Sequence, residues 1–190
     1  MHLIVGMGNP GVEYAATRHN LGYRVVAELA ARWRLSLSRR SLESRWGQGR
    51  VGGEAVVLAQ PTTFMNLSGL AVAKLLRYFK LAPGDLVVVH DDLDVPVGRL
   101  KIVTRGGPGG HRGVLSVMAE LDTEEFLRVK LGVGRPPPKV WPEDYVLSPF
   151  SREEAALIPE LVARAASAVE TLLTEGLAAA RNRFHAAPSD

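Results

Sequence analysis

Residues 86–94 read LVVVHDDLD, a short apolar run that passes directly into three carboxylates. A run this short and this rich in β-branched residues is the pattern of a central strand covered on both faces. Such a strand needs helices in front and behind, which restricts the chain to a layered α/β arrangement. The rest of the sequence supplies the layers. HLIV at positions 2–5 is a second short buried strand, and Leu21, Val25, Val26, Leu29, Ala30 and Trp33 recur at helical spacing between Asn20 and Arg34. Gly52-Gly53 predicts a hairpin between strands at Arg45–Val51 and Glu54–Ala59, with Pro61 ending the second. A helix is expected over Leu67–Tyr78, capped by Asn66, and another over Val114–Leu121. Arg99–Thr104 reads as a weaker, exposed strand and Phe126–Val133 as a further one. RPPPKVWP is a rigid connector, and Arg152 to about Arg183 is an amphipathic helix broken at Gly176. The expected fold is a three-layer α/β/α sandwich around a mixed, mostly parallel sheet, in a single domain over residues 1–190.

Composition narrows the chemistry. There is no cysteine, so disulfide frameworks and thiolate metal sites are excluded. No apolar run approaches the ~20 residues of a membrane span, and the N-terminus lacks the apolar length of a signal peptide. A cytoplasmic protein with no membrane association is expected. The net charge of +3 suits an anionic ligand.

Polar, glycine-rich stretches follow three of the expected strands, at 6–20, 91–98 and 105–113, and strand carboxyl ends are where α/β folds bind ligands. In GMGNPG, Gly6, Gly8 and Gly11 have the spacing of a dinucleotide loop. Pro10 removes one of the N–H groups such a loop needs, the helical periodicity starts well past the third glycine, and Glu28 lies inside that helix. The dinucleotide reading therefore fails. What remains is Asn9 on a tight turn, with His19 ten residues on as either a general base or an ordinary capping histidine. Asp91, Asp92 and Asp94 fit a Mg²⁺ site, an aspartate that orients a histidine, or a solvated turn. GGPGGH is a mobile lid, a point of close approach or a connector. Arg99, Lys101, Arg105, Arg112, Arg128 and Lys130 form a candidate phosphate-binding face. In QPTTFMNLSG, Asn66 can pair with a peptide amide, with Phe64 and Met65 beside it. There is no GxSxG motif and no cysteine, so direct attack by water is the economical hydrolytic route.

LIVGMGNPGVEYAATRHNLGY, QPTTFMNLSG, HDDLDVPVG and GGPGGHRG, in this order and with the tail GLAAARNRFHA, resemble bacterial-type peptidyl-tRNA hydrolase. The resemblance implies hydrolysis of the ester between a peptidyl group and the 3′ ribose of tRNA, by a cytoplasmic monomer without metal, cofactor or obligate protein partner. It makes His19 the general base, Asp91 the residue that orients it, and Asn9 the reader of the blocked amide end. Tyr14, Phe64 and Asn66, with Met65, would line the site for the tRNA 3′ end and the peptide. Lys101, Arg105 and Lys130 are the candidates for tRNA phosphates. One position departs: the family pattern GGHNG is GGHRG here. Arg112 cannot accept a hydrogen bond as the family's asparagine does, so contact with the ribose or the terminal phosphate is its alternative role. Two other readings of the same residues are a non-catalytic RNA-binding module and a Mg²⁺-dependent phosphohydrolase.

Overall fold

A computed structural model describes residues 1–185. Among these residues seven strands form one sheet in the order β2-β3-β4-β1-β5-β7-β6. β1 (His2–Gly6), β4 (Glu54–Pro61), β5 (Leu86–Asp92) and β7 (Leu127–Gly132) are its parallel centre. β3 (Ser44–Val51) joins β4 through the Gly52-Gly53 hairpin, and β2 (Arg39–Ser41) and β6 (Leu100–Val103) are the antiparallel edges. Five strands share one direction, which bears out the mixed, mostly parallel expectation. β2 was not expected: its residues Arg-Arg-Ser are all exposed and carry no apolar period.

The period-two alternation of the central strands divides the core. Ile4, Val56, Leu58, Val87 and Val89 pack with α1 (Leu21–Trp33), α5 (Arg152–Thr174) and α6 (Leu177–Phe184). Leu3, Val5, Val57, Ala59, Leu86 and Val88 pack with α2 (Ser68–Phe79) and α3 (Arg112–Leu121). Leu86–Val89 thus feeds both layers, as its unbroken apolar run requires. The outer edge of β6 is closed by α6. Ile102 N–H donates to His185 Nε2 at 2.7 Å and Ile102 C=O accepts from Arg181 at 3.2 Å, which leaves that edge less open to strand addition. Ala186, the last residue of the tail quoted above, lies outside the described residues. Among those described, no helix is long and apolar enough to cross a membrane.

Asn66 does not cap α2. It lies within the 3-10 turn Met65–Leu67, and Leu67 occupies the cap position. The side chain of Asn66 is therefore exposed and has no hydrogen-bond partner among the described residues.

Parallel packing sends the carboxyl ends of β1, β4, β5 and β7 to one rim of the sheet. The glycines of GMGNPG serve close approach there. A Cβ on Gly6 would sit 2.1 Å from Gly22 O, and a Cβ on Gly22 would sit 2.3 Å from Val89 O. With both absent, the first turn of α1 lies directly on the ends of β1 and β5, tied by Met7 N–H to Val89 O and Tyr23 N–H to Met7 O. This lodging carries residues 18–20 to the end of β5. Substituting Gly22→Ala pushes a methyl against main chain that cannot rotate away, so α1 must shift. The expected loss is on the order of 3 kcal/mol of stability, with activity falling further than stability alone accounts for. Denaturant melts and turnover measured on the same sample check this.

Candidate active site

Asp91, the penultimate residue of β5, is 2% exposed and accepts from two imidazoles. His19, in the 3-10 turn Arg18–Asn20 that leads into α1, places Nδ1 at 2.9 and 3.0 Å from the two carboxylate oxygens. His111, the N-cap of α3, places Nε2 at 3.1 Å from Oδ1. The tautomers follow from the partners. His111 Nδ1 accepts the Val114 N–H at 3.2 Å, so its proton is on Nε2. Ionised Asp91 can only accept, so His19 carries its proton on Nδ1. Nε2 of His19 is then a free lone pair, with no partner among the described residues. Burial pushes the Asp91 carboxyl upward, but His19 and His111, through charge and hydrogen bonds, outweigh it and hold the group well below the usual range.

Behind the pair lies His90, whose Nδ1–H donates to Asp91 C=O at 2.7 Å and whose ring is 4.8 Å from that of His111. Its Nε2 is buried without a partner. Burial first, then the His111 charge, hold His90 well below the ordinary histidine value. His111 is lowered too, by burial against the opposing pull of Asp91.

Asn9 faces this group from the turn after β1. The Asn20 side chain grips its backbone at both ends, Oδ1 accepting Asn9 N–H at 2.9 Å and Nδ2 donating to Asn9 C=O at 3.0 Å. Asn9 Oδ1 accepts the Met65 N–H at 2.8 Å, which fixes the amide so that Nδ2 is its unused donor. Asn9, His19, Asp91 and Arg112 line one cleft of about 310 Å³. Tyr14, Phe64, Met65 and Asn66 line it as well. Phe64 is 59% exposed at this mouth, an unusual state for a large aromatic ring.

Residues 3–190 match the family model described as peptidyl-tRNA hydrolase. The peptidyl-tRNA hydrolase of Leifsonia xyli subsp. xyli is 50% identical over 187 residues, covering 97% of each chain. That of Chloroflexus aggregans is 47% identical over 186 residues, covering 97% of this chain and 99% of that protein. Among solved structures, the peptidyl-tRNA hydrolase of Acinetobacter baumannii superposes with a TM-score of 0.92 at 34% identity, over 98% of this chain and 95% of that one. A complex of a peptidyl-tRNA hydrolase with N-propanol gives 0.93 at 34% identity, over 100% and 97%. This chain belongs to the peptidyl-tRNA hydrolase family.

Other residues singled out in this hydrolase-family sequence separate into different roles. Asp92 bonds Lys130 at 3.0 Å and the Asp94 N–H at 2.7 Å, and Asp94 pairs with Arg135. The three aspartates thus diverge and build no common cation site. The acidic and imidazole group whose ligand atoms do converge is His19, Asp91 and His111, within 4.8 Å, and its internal hydrogen bonds already engage those atoms. Arg128 is no phosphate ligand. It is fully buried and donates to Gly106 and Gly107 carbonyls, securing the glycine loop. Lys130 is committed to Asp92, whereas Lys101, its cross-strand neighbour, and Arg105 are exposed. None of the three lines the cleft. Arg112 does, and its 65% exposed side chain reaches Glu143 on α4 (Pro142–Val146) at 3.4 Å.

Sequence reasoning missed His111, Asn20, His90 and Arg18. Arg18 is buried and bonds Ser148, the carbonyls of Tyr145 and Pro149, and Glu154, which ties α4 to the turn that carries His19. For His111, a histidine directly before the apolar period of α3 was the available signal.

Both lowered histidines destabilise the protein in acid. The unfolded chain takes up their protons below about pH 6.5 while the folded one refuses them, so stability falls as pH falls, by up to about 1.4 kcal/mol per pH unit for each group. His90→Asn keeps a donor to Asp91 C=O and removes one of these protons. Chemical unfolding measured from neutral to mildly acid pH should show a shallower slope for this variant. An unchanged slope would mean that His90 ionises within the folded protein.

Proposed function

We propose that this chain hydrolyses the ester between a peptidyl group and the 3′ ribose of tRNA, with water as nucleophile and His19 as general base. The carrying observation is the lone pair on His19 Nε2, freed because Nδ1–H is held by Asp91 at 2.9 Å. Water bound at Nε2 gives up a proton to it as the oxygen attacks the ester carbonyl. Asp91 stabilises the imidazolium that forms. Collapse of the tetrahedral intermediate breaks the bond to the 3′ oxygen, which takes the proton back from Nε2 and leaves as the free ribose hydroxyl. The products are a peptide carboxylate and deacylated tRNA, ready to be recharged for translation.

Substrate choice follows from which end of Asn9 is unused. Its Nδ2 donor suits the carbonyl oxygen of a peptide amide. A free α-ammonium offers donors alone and leaves Asn9 unmatched, a mismatch of the kind that gives strong discrimination. Asn66, free of the capping role, is a second amide partner. Phe64 and Tyr14 offer ring faces to the terminal base, and Arg112 offers its charge to the terminal phosphate. Lys101 and Arg105, with Lys130 partly neutralised by Asp92, serve the tRNA phosphates beyond the cleft. The reaction needs no metal, and the working protein is a cytoplasmic monomer.

Two measurements test this reading. His19→Ala should lower kcat for N-acetyl-aminoacyl-tRNA by about 10²–10⁴-fold with tRNA binding intact, while the wild type turns over fully in EDTA. Retained turnover in the variant would remove His19 as base, and loss in EDTA would favour a metal mechanism. Asn9→Asp turns the donor into an acceptor. It should slow N-acetyl-aminoacyl-tRNA and narrow its advantage over unblocked aminoacyl-tRNA, and an unchanged ratio of the two kcat/KM values would take Asn9 out of amide recognition.

A further inference from the structure

A second cleft, of about 420 Å³, opens on the other side of the turn that carries Asn9. Asn9 lines both cleft walls. The strand-to-helix connection does the same in sequence, since Thr62 borders the second cleft while Phe64, Met65 and Asn66 border the first. The two cavities therefore adjoin along one short stretch of wall.

The lining of the second cleft is positively charged. Arg24, from the first turns of α1, and Arg45, from β3, both line it, and no carboxylate does. Among the described residues neither guanidinium has an ion pair or hydrogen bond. Of the acids on neighbouring turns, Glu28 is taken by Arg32 at 2.8 Å, and Glu13 lies beside Gly11 at the edge of the cleft without lining it. The neutral polar groups of the floor are partly engaged. Gln60, the cross-strand partner of Arg45, donates to Tyr23 C=O at 2.9 Å, and the Tyr23 hydroxyl donates to Pro61 C=O. Burial pushes that hydroxyl up to about 12, so it stays neutral and offers the arginines no counter-charge. Two unpaired guanidiniums in a concave site form a carboxylate receptor in want of a carboxylate.

We infer that this cleft is a subsite for an acidic side chain of the peptidyl group, upstream of the esterified residue, read by Arg24 and Arg45. The inference rests on the hydrolase reading above. With the ester carbonyl at His19 and the blocked amide at Asn9, the chain preceding that amide leaves the first cleft over Asn9, which is the wall the two cavities share. An extended peptide advances ~3.4 Å per residue, so upstream side chains come over the second cleft in turn. An aspartate or glutamate there meets both guanidiniums, and a lysine is repelled. Substrates with a single blocked amino acid do not reach it.

The test compares three substrates on one tRNA: N-acetyl-aminoacyl-tRNA, and N-acetyl-tripeptidyl-tRNA with either Asp or Lys at the two upstream positions. At low salt the wild type should favour the Asp substrate over the Lys substrate in kcat/KM by about fivefold, the scale of two partly exposed ion pairs. Arg24→Gln/Arg45→Gln should bring the two together and leave N-acetyl-aminoacyl-tRNA unchanged. Arg45→Glu, at an exposed strand position, should turn the preference toward Lys. Turnover of all three substrates by the wild type without preference, or a preference that survives both variants, overturns the subsite while leaving the hydrolase reading intact. No turnover of N-acetyl-aminoacyl-tRNA by the wild type overturns both.

Discussion

A buried carboxylate that accepts from two imidazoles is the constraint on which this site depends. Asp91 is almost wholly buried, so its charge is sustained by the N–H groups of His19 and His111. That demand sets the tautomer of both rings. His111 can meet it because Val114 N–H engages its other nitrogen, and His19 meets it by presenting Nε2 to the cleft. A single interaction thus neutralises a buried charge and produces a base with a fixed direction. It also explains why the aspartate sits at the end of β5. The strand is covered on both faces, and its carboxyl end is where the parallel sheet meets the loops.

The same interaction needs three segments distant in sequence to meet, and backbone proximity makes that possible. Gly6 and Gly22 let α1 settle onto β1 and β5, which brings His19 to Asp91. Gly113 has a corresponding place in α3, where a Cβ would meet Met65 Sδ at 2.5 Å. Arg128 holds the glycine loop from beneath, and Arg18 holds α4 against the turn that carries His19. The polar scaffold around the cleft is largely arginine, used inside the protein as a fork of donors for carbonyls rather than as surface charge. Asn20 spends both ends of its amide on the Asn9 backbone, and Asn9 spends only its oxygen, on Met65 N–H, so that a defined donor is left over.

Much of this was legible in the sequence, for identifiable reasons. Period-two and helical alternation gave the layers, and the run at 86–89 gave the central strand, because burial on two faces leaves a direct compositional trace. Turn, helix entry and strand end, marked by glycine, proline and the end of an apolar run, made Asn9, His19 and the three aspartates at 91, 92 and 94 candidates, and the family resemblance singled out Asp91 among the three. The failures have physical causes as well. Arg128 was grouped with the phosphate-binding cations and Arg18 was passed over, because a buried arginine is recognisable by its carbonyl partners, and these lie in a loop for the first and far along the chain for the second. Asn66 sat where a cap belongs, yet a 3-10 turn moved the helix start by one residue. The face of cations split because side-chain direction and pairing, as with Lys130 and Asp92, depend on strand register that composition does not carry.

The central claim is that Asp91 fixes the two histidines in opposite tautomers. ¹⁵N NMR of the histidine side chains at mildly alkaline pH reads this directly. His19 should show a protonated Nδ1 and a bare Nε2, His111 the reverse, and Asp91→Asn should abolish the contrast. A His19 ring protonated at Nε2 in the wild type would contradict the account, since no base would then face the cleft.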